Sequence, residues 1–419
     1  MPKLRIIEVV NVRWFNAAAW YGLNLSRLLR RAGHDVQVIC PPGTDSFAAA
    51  RDMKLDPVPL NLTSLHPAAL AGAAARIAAL VRDFKPHIVN CHRGENLILW
   101  GLLKKYASFA LIRTRGDQRP PRDGIVNRLL HTRLIDAVTA SNSRSAAQCR
   151  AVLGVPDDRL YVIPGGVDTV RFTFDPAGRG RVRRTFGFTD EDMVVGLLGR
   201  FDKVKGHAEL LDAAQRIVSA RAGAGIRDSR PLTGSSVQRT EANSAYSTEM
   251  SSEAEARQIR LRLLFIGFPA GLSVRDLEQA ARARSLEHLT RISSGRVTDM
   301  PAHISALDLG VIASQGSEAI ARAALEIMAC GVPLVGTDAG VMPDLLSPEA
   351  VAPVGDAAAL TALLDKVLTR PDFRQTLKEQ QRQRMASLSD EAFVQQTLKV
   401  YRATLQRNAA PGSGPAGRS

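Results

Sequence analysis

Glu318 and Glu326 stand eight residues apart in Gly316-Ser-Glu-Ala-Ile-Ala-Arg-Ala-Ala-Leu-Glu326-Ile-Met-Ala-Cys-Gly-Val-Pro-Leu-Val-Gly. Ile320, Ala324, Ile327 and Met328 recur there at helical spacing, and Gly331 has the place of a C-cap. The pattern predicts a helix that begins at Ser317 or Glu318 and ends before a strand at 332–335. On such a helix the two carboxylates would lie up to about 12 Å apart along the axis. One could hold a sugar while the other reaches a ribose, with the helix N-terminus offering N–H groups to a phosphate between them. Taken alone, the spacing more often marks a helix-start charge and a surface glutamate. A second constellation, Gly199-Arg-Phe-Asp-Lys-Val-Lys205-Gly206, follows an apolar run. Arg200 leaves the strand end directly and Lys205 arrives at the next helix start, so two cations can neutralise a diphosphate as charge develops on a departing oxygen. The same residues also describe a solvated basic loop. Third is Tyr161-Val-Ile-Pro-Gly-Gly-Val-Asp168-Thr-Val-Arg-Phe172, a tight turn after a strand.

The elements that must position these groups alternate from the first residues onward. Strands are predicted at 4–10, 36–40, 87–91, 109–113, 136–140 and 160–163, with helices at 67–83, 95–106, 124–133 and 143–152 and another ended by Gly33. The pattern restarts after 176–180 with strands at 193–198, 261–266, 309–312 and 332–335 and helices at 206–221 and 273–284. Repeated βα units mean parallel sheets covered on both faces, here two doubly wound α/β domains meeting near 170–190. Such sheets bind ligands at the carboxyl ends of their strands. Residues 223–258 are rich in Ser, Gly and Glu and lack apolar periodicity, which predicts a disordered insertion, and 408–419 reads as a flexible tail.

Composition narrows the classes. The chain has 419 residues, 45% of them apolar, enough for a core in each domain. No run of about 18 uninterrupted apolar residues suggests a membrane span, and the start lacks the pattern of a secretory leader. Cys40, Cys91, Cys149 and Cys330 are scattered without a C-x-x-C pair, as buried thiols of a reducing cytoplasm would be. Of the net charge of +14, residues 1–190 carry +13 and residues 191–419 only +1. A localised positive field points to an anionic partner. Nucleic acid is disfavoured, since no recognition helix, aromatic pair or zinc knuckle accompanies the charge, and the absence of G-x-G-x-x-G after the first strand argues against a dinucleotide-dependent dehydrogenase.

In this order and spacing, GHDVQVIC (33–40), IPGGVDTVRF (163–172), GRFDKVKG (199–206) and SEAIARAALEIMACGVPLVGTDAGVMPDLL (317–346) resemble the family 4 retaining glycosyltransferases, among them those of the bacterial lipopolysaccharide and cell envelope. The resemblance implies a GT-B architecture, two doubly wound Rossmann-like domains facing across a cleft. Residues 1–175 would form the acceptor-side domain and 176–389 the donor domain, with a helix at 390–407 crossing back to the first. It implies a nucleoside-diphosphate sugar as co-substrate, with no cofactor or metal expected. Arg200 and Lys205 would bind the diphosphate, Glu326 the ribose, Glu318 with Ala319, Ile320 and Ala321 the sugar, and Val297 the base.

Three segments depart from the family pattern. Phe15-Asn-Ala-Ala-Ala-Trp20 replaces the usual Gly-Gly loop, Glu318-Ala-Ile-Ala321 replaces Glu-Pro-Phe-Gly, and Ile112-Arg-Thr-Arg115-Gly-Asp117 lacks the usual His-Asp pair. Asp117 and His92 are the candidates to approach the acceptor, His92 being equally a structural histidine at a strand end. Arg113, Arg115, Arg119 and Arg122 would line the acceptor rim, spaced for the phosphates or carboxylates of an anionic lipid-linked glycan such as a lipopolysaccharide core. A helix at 121–133 (Arg122, Arg128, Arg133 with Ile125, Leu129, Leu130) could rest on an anionic membrane face, although its apolar residues are expected chiefly in the core. The enzyme would then be cytoplasmic and peripheral. The competing reading is a catalytically impaired binding or scaffold protein of the same fold.

Overall fold

The structure, a computed structural model, describes residues 2–410 except 65, 95, 96, 118, 228–258, 296 and 317. Two compact units divide the chain. Unit 1 holds the residues up to Asp168, the short segment Glu318–Arg322 and the chain from Ala386 onward; unit 2 holds Thr169–Ser317 and Ala323–Met385.

In unit 1 the strands are β1 (Arg5–Val9), β2 (Asp35–Cys40), β3 (Val58–Pro59), β4 (Ile88–Cys91), β5 (Ala110–Arg115), β6 (Ala137–Ala140) and β7 (Leu160–Val162). They pair in parallel in the order β3-β2-β1-β4-β5-β6-β7. Alternate residues feed two cores. Ile6, Val36, Val38, Ile88 and Ile112 belong to one, and Ile7, Ile39, Val89, Leu111 and Val138 to the other. A sheet covered on both faces has no polar side, which is why these strands read as continuous apolar runs. Glu8 breaks the run and is fully buried. Tyr401 Oη donates to its carboxylate at 2.8 Å, Asn90 Nδ2 donates at 3.0 Å, and His92 Nε2 lies 2.6 Å away.

Tyr401 belongs to the last helix, Asp390–Ala409, which packs in unit 1 on helix Ala17–Arg31. Ser389 caps its N-terminus, and Asp390 accepts from Asn24 Nδ2 at 3.2 Å. The Gly-Gly turn is what lets it dock: a Cβ on Gly166 would fall 2.8 Å from Phe393 Cβ and from the Ser389 carbonyl oxygen.

Unit 2 repeats the plan with β8 (Asp192–Leu198), β9 (Arg260–Gly267), β10 (Thr290–Ser294), β11 (Leu309–Ile312), β12 (Leu334–Thr337) and β13 (Val351–Ala352), parallel in the order β10-β9-β8-β11-β12-β13. The sequence-based reading misses β3, β10 and β13. All three are at or beside a sheet edge, and β10 (TRISS) is half-exposed and polar.

Other expectations are corrected. The first unit ends at Asp168, before 175, and the chain returns to it at Ala386, before 390. Helix His207–Arg227 runs six residues past 221 and into the predicted insertion, whose remainder, 228–258, lies outside the described residues. The last helix likewise extends to Ala409, and 411–419 of the expected tail lie outside. The helix predicted at 95–106 runs over Leu97–Leu103 and stops short of 106, 95 and 96 lying outside the described residues, and that at 124–133 is a short α-helix, Ile125–Leu129, continued by a π-turn, Leu130–Leu134.

Candidate active site

In each sheet the strand order reverses beside one strand: β1 between β2 and β4, and β8 between β9 and β11. Ligands of doubly wound sheets lie outside the carboxyl ends of the strands at such a point. In unit 2 the loop that emerges there is Gly199–Gly206. Asp202 organises it: its Oδ1 accepts from Val204 N at 3.2 Å, its carbonyl from Lys205 N at 3.0 Å, and its other oxygen pairs with the Arg200 guanidinium at 3.2 Å. Lys203–Lys205 thereby forms a 3₁₀ turn that folds the Lys205 stem back over the strand end, where its Cδ lies 3.8 Å from a Cβ built on Gly199.

Gly206 closes the loop at φ +79°, and a Cβ there would overlap the Ala313 carbonyl oxygen at 1.9 Å. Only glycine fits between this loop and the end of β11. Gln315 N donates to Val204 O at 2.9 Å, and Thr337 Oγ1 donates to Ser314 O at 2.6 Å, so the residues after β11 are fastened to the loop after β8 and to the end of β12. His207 follows at the helix start, buried edge-on between Phe201 and Phe265, with ring centroids 5.6 and 5.2 Å away. Burial pushes its pKa down to about 4, so a neutral imidazole underlies the cationic loop. Arg200 is exposed and Lys205 half-buried, two cations on one rigid turn.

Val297, half-buried, lies in the loop after β10, fixed by Gly295 N donating to Gly267 O at 2.9 Å; its neighbour Arg296 lies outside the described residues. Glu326 is half-buried on helix Arg322–Ala329.

The E-x7-E segment differs from its sequence-based reading. The helix begins at Arg322; Ser317 lies outside the described residues, and Glu318 precedes the helix in irregular backbone. Ala321 sits at φ +48°, in the left-handed region that ends any helix, so the two glutamates do not share one axis. Glu318 is buried and clusters with unit 1, Glu326 with unit 2. In unit 1, Ser141 Oγ and Asn142 Nδ2 donate to Ala319 O at 2.9 and 3.1 Å, Ile320 enters the core, and the Arg322 guanidinium lies 4.5 Å from the Trp20 ring centroid. Two departures from the family pattern meet here, because a Cβ on Gly116 would touch both Ala18 and Ile320.

Of the acceptor candidates, Asp117 is exposed after β5, its carbonyl accepting from Ser145 Oγ at 3.2 Å. His92 is buried against Glu8 and Asn90, so the structure makes it a core residue. Arg113 is not at a rim: it is buried, donating to the carbonyls of Cys91 and Thr114, and burial lowers its pKa. Arg115 is half-buried and donates to Arg119 O, while Arg119 and Arg122 are exposed.

Sequence reasoning overlooks Asp202, Asn142 and Trp20. Asp202 and Asn142 carry a readable signal: each is an Asx residue opening a turn or helix, and Asn142 caps Ser143–Leu153 by accepting from Ser145 N. Capping uses the Asn142 carbonyl oxygen and leaves its amide to hold Ala319. Trp20 has no such signal, since its partner is some 300 residues away in sequence.

Two family models match the chain, Glycosyltransferase Family 4 over residues 18–171 and Glycosyl transferases group 1 over residues 242–384. The D-inositol 3-phosphate glycosyltransferase of Geodermatophilus obscurus is 26% identical over 303 residues, 70% of this chain and 58% of that protein. The lipopolysaccharide core biosynthesis mannosyltransferase LpsB of Rhizobium meliloti is 26% identical over 276 residues, 65% of this chain and 66% of that protein. The chain thus spans less than two thirds of the length of either relative. The structure of Anabaena HepE in complex with UDP shares the fold at TM-score 0.74 and 16% identity, over 96% of this chain and 100% of that one. With both models matched in chain order, one on each α/β unit, the chain belongs to the family 4 glycosyltransferases of GT-B fold.

Proposed function

We propose that the protein transfers a hexose or related sugar from a nucleoside diphosphate to an acceptor hydroxyl with retention of anomeric configuration. The observation that carries this reading is the Gly199–Gly206 loop at the strand reversal of unit 2, which holds Arg200 and Lys205 on one rigid turn. In the proposed step the bond from the anomeric carbon to the diphosphate oxygen breaks, the acceptor oxygen bonds that carbon on the same face, and the acceptor proton passes to the departing phosphate. Arg200 and Lys205 stabilise the charge that develops there, Glu326 holds the ribose, Val297 faces the base, and Glu318 with Ala319, Ile320 and Ala321 bounds the sugar. No side-chain base is required, which suits a chain whose His92 is buried against Glu8.

The acceptor we infer is an anionic lipid-linked glycan such as a lipopolysaccharide core. Arg115 at the end of β5 and Arg119 and Arg122 after it support it, as does the likeness to a core mannosyltransferase. The test is incubation with UDP-, GDP- and ADP-sugars and a phosphorylated core oligosaccharide, followed by proton NMR of the product. One donor should release its nucleoside diphosphate and yield the donor's own anomer. An inverted product would refute retention, and no release from any donor would refute transfer.

A further inference from the structure

Six of the thirteen large apolar side chains exposed among the described residues fall within one short stretch: Ile98, Leu102, Tyr106, Ile125, Val126 and Leu129. Ile125, Val126 and Leu129 are 75%, 68% and 51% exposed, and helix Ile125–Leu129 buries none of its residues. That reverses the sequence-based expectation that they would serve the core. The π-turn Leu130–Leu134 explains the reversal. Its widened turn sends Leu130 and His131 inward and seats Leu134 against helix Leu97–Leu103, where a Cβ on Gly101 would lie 2.8 Å from Leu134 Cδ1. The core is thus supplied by the π-turn and by Leu97 and Trp100. This leaves an exposed i,i+4 pair on each of two helices that both contact the π-turn, Ile98 with Leu102 and Ile125 with Leu129.

Around this face the charge is one-sided. Residues 98–134 contain eight basic and two acidic side chains; Arg113 is buried, Lys104 pairs with Asp136 and Arg128 with Asp123 at 3.0 Å, and Arg122, Arg128, Arg133 and Lys105 are exposed. Exposed apolar side chains ringed by cations complement an anionic lipid surface: the apolar groups enter the acyl boundary while the cations meet headgroup phosphates. A protein partner would have to supply both a groove and a dense acidic rim, which a bilayer offers at any position. No helix among the described residues is long and apolar enough to cross a membrane, so the contact would be made from one side.

We propose that the face formed by helices Leu97–Leu103 and Ile125–Leu129 docks on anionic phospholipid, with Ile125, Val126 and Leu129 as the inserting residues and Arg128 and Arg133 among the headgroup contacts. The inference stands independently of sugar transfer. Flotation with vesicles of phosphatidylglycerol in phosphatidylethanolamine, against phosphatidylcholine alone, tests it. The wild type should float with the anionic vesicles and be released by salt. Ile125→Ser with Leu129→Ser should weaken flotation about tenfold while leaving the thermal melt and donor turnover unchanged. Arg128→Glu with Arg133→Glu should weaken it about thirtyfold and remove the salt dependence. Equal binding to both vesicle types, or wild-type flotation of the serine variant, would overturn the proposal. So would loss of self-association in the serine variant with flotation unaltered, which would assign the face to a second copy of the chain.

Discussion

The loop after β8 and the loop after β1 occupy equivalent places, each at the carboxyl end of the strand where its sheet reverses order. They are furnished differently. In unit 2 the place holds Arg200 and Lys205 on an Asx-organised turn closed by Gly206. In unit 1 it holds Trp14 and Phe15, exposed beside Arg13, on a backbone pinned by Ser46 Oγ donating to Trp14 O and ended by Asn16, which caps helix Ala17–Arg31. Topology decides where a ligand can lie, and the loop decides what it can be. One unit offers fixed cations suited to a diphosphate; the other offers aromatic faces and backbone without a glycine for close phosphate approach.

The comparison can be broken most severely at the cations. Arg200→Ala should lower nucleoside diphosphate release about 10²-fold, whereas Trp14→Ala should leave release in the absence of acceptor within about twofold; equal losses in a steady-state assay would erase the distinction between the loops. Next is the seam of unit 2. Gly206→Ala forces a Cβ onto the Ala313 carbonyl and should cost about 3 kcal/mol in denaturant unfolding.

Of similar size is a pH effect of histidines held below their usual pKa by burial, which include His34 and His87 in unit 1. Burial pushes His207 in unit 2 and His131 in unit 1 down to about 4. Unfolded histidine takes up its proton near pH 6.5 while the folded form does not, so this stability is complete above pH 6.5 and is lost as pH falls from there towards 4, by up to about 3 kcal/mol per residue. His207→Phe should flatten the pH dependence of the melting temperature for unit 2 and leave that of unit 1.

A smaller effect probes the buried polar group of unit 1. Tyr401→Phe removes one donor from Glu8 and should cost about 1–2 kcal/mol. The smallest changes sign: Ala321 occupies a left-handed position that glycine adopts freely, and Ala321→Gly should stabilise the chain by up to about 1 kcal/mol, measured by thermal melting.

Both sheets were legible from sequence where their strands are buried on two faces, because such strands are unbroken apolar runs between helix caps and glycines. Edge strands β3, β10 and β13 lack that signature. The Gly199–Gly206 turn was legible because its groups are contiguous. The setting of Glu318 was not: one positive φ at Ala321 separates it from the helix, and Ser141 and Asn142, which hold Ala319, are about 180 residues away. Charge was legible in sum and misleading in detail, since Arg113 contributes to the positive half yet is spent on two carbonyls in the core. His92 was ambiguous for the same reason, as its partner Glu8 lies 84 positions away.

The central claim, that the cationic turn of unit 2 carries sugar transfer from a nucleoside diphosphate, is tested most directly by measuring nucleoside diphosphate release for the wild type and Lys205→Ala side by side with the donor that the wild type uses. A fall of about 10²–10³-fold with the melting temperature unchanged is the predicted result. Unchanged release by Lys205→Ala would contradict it.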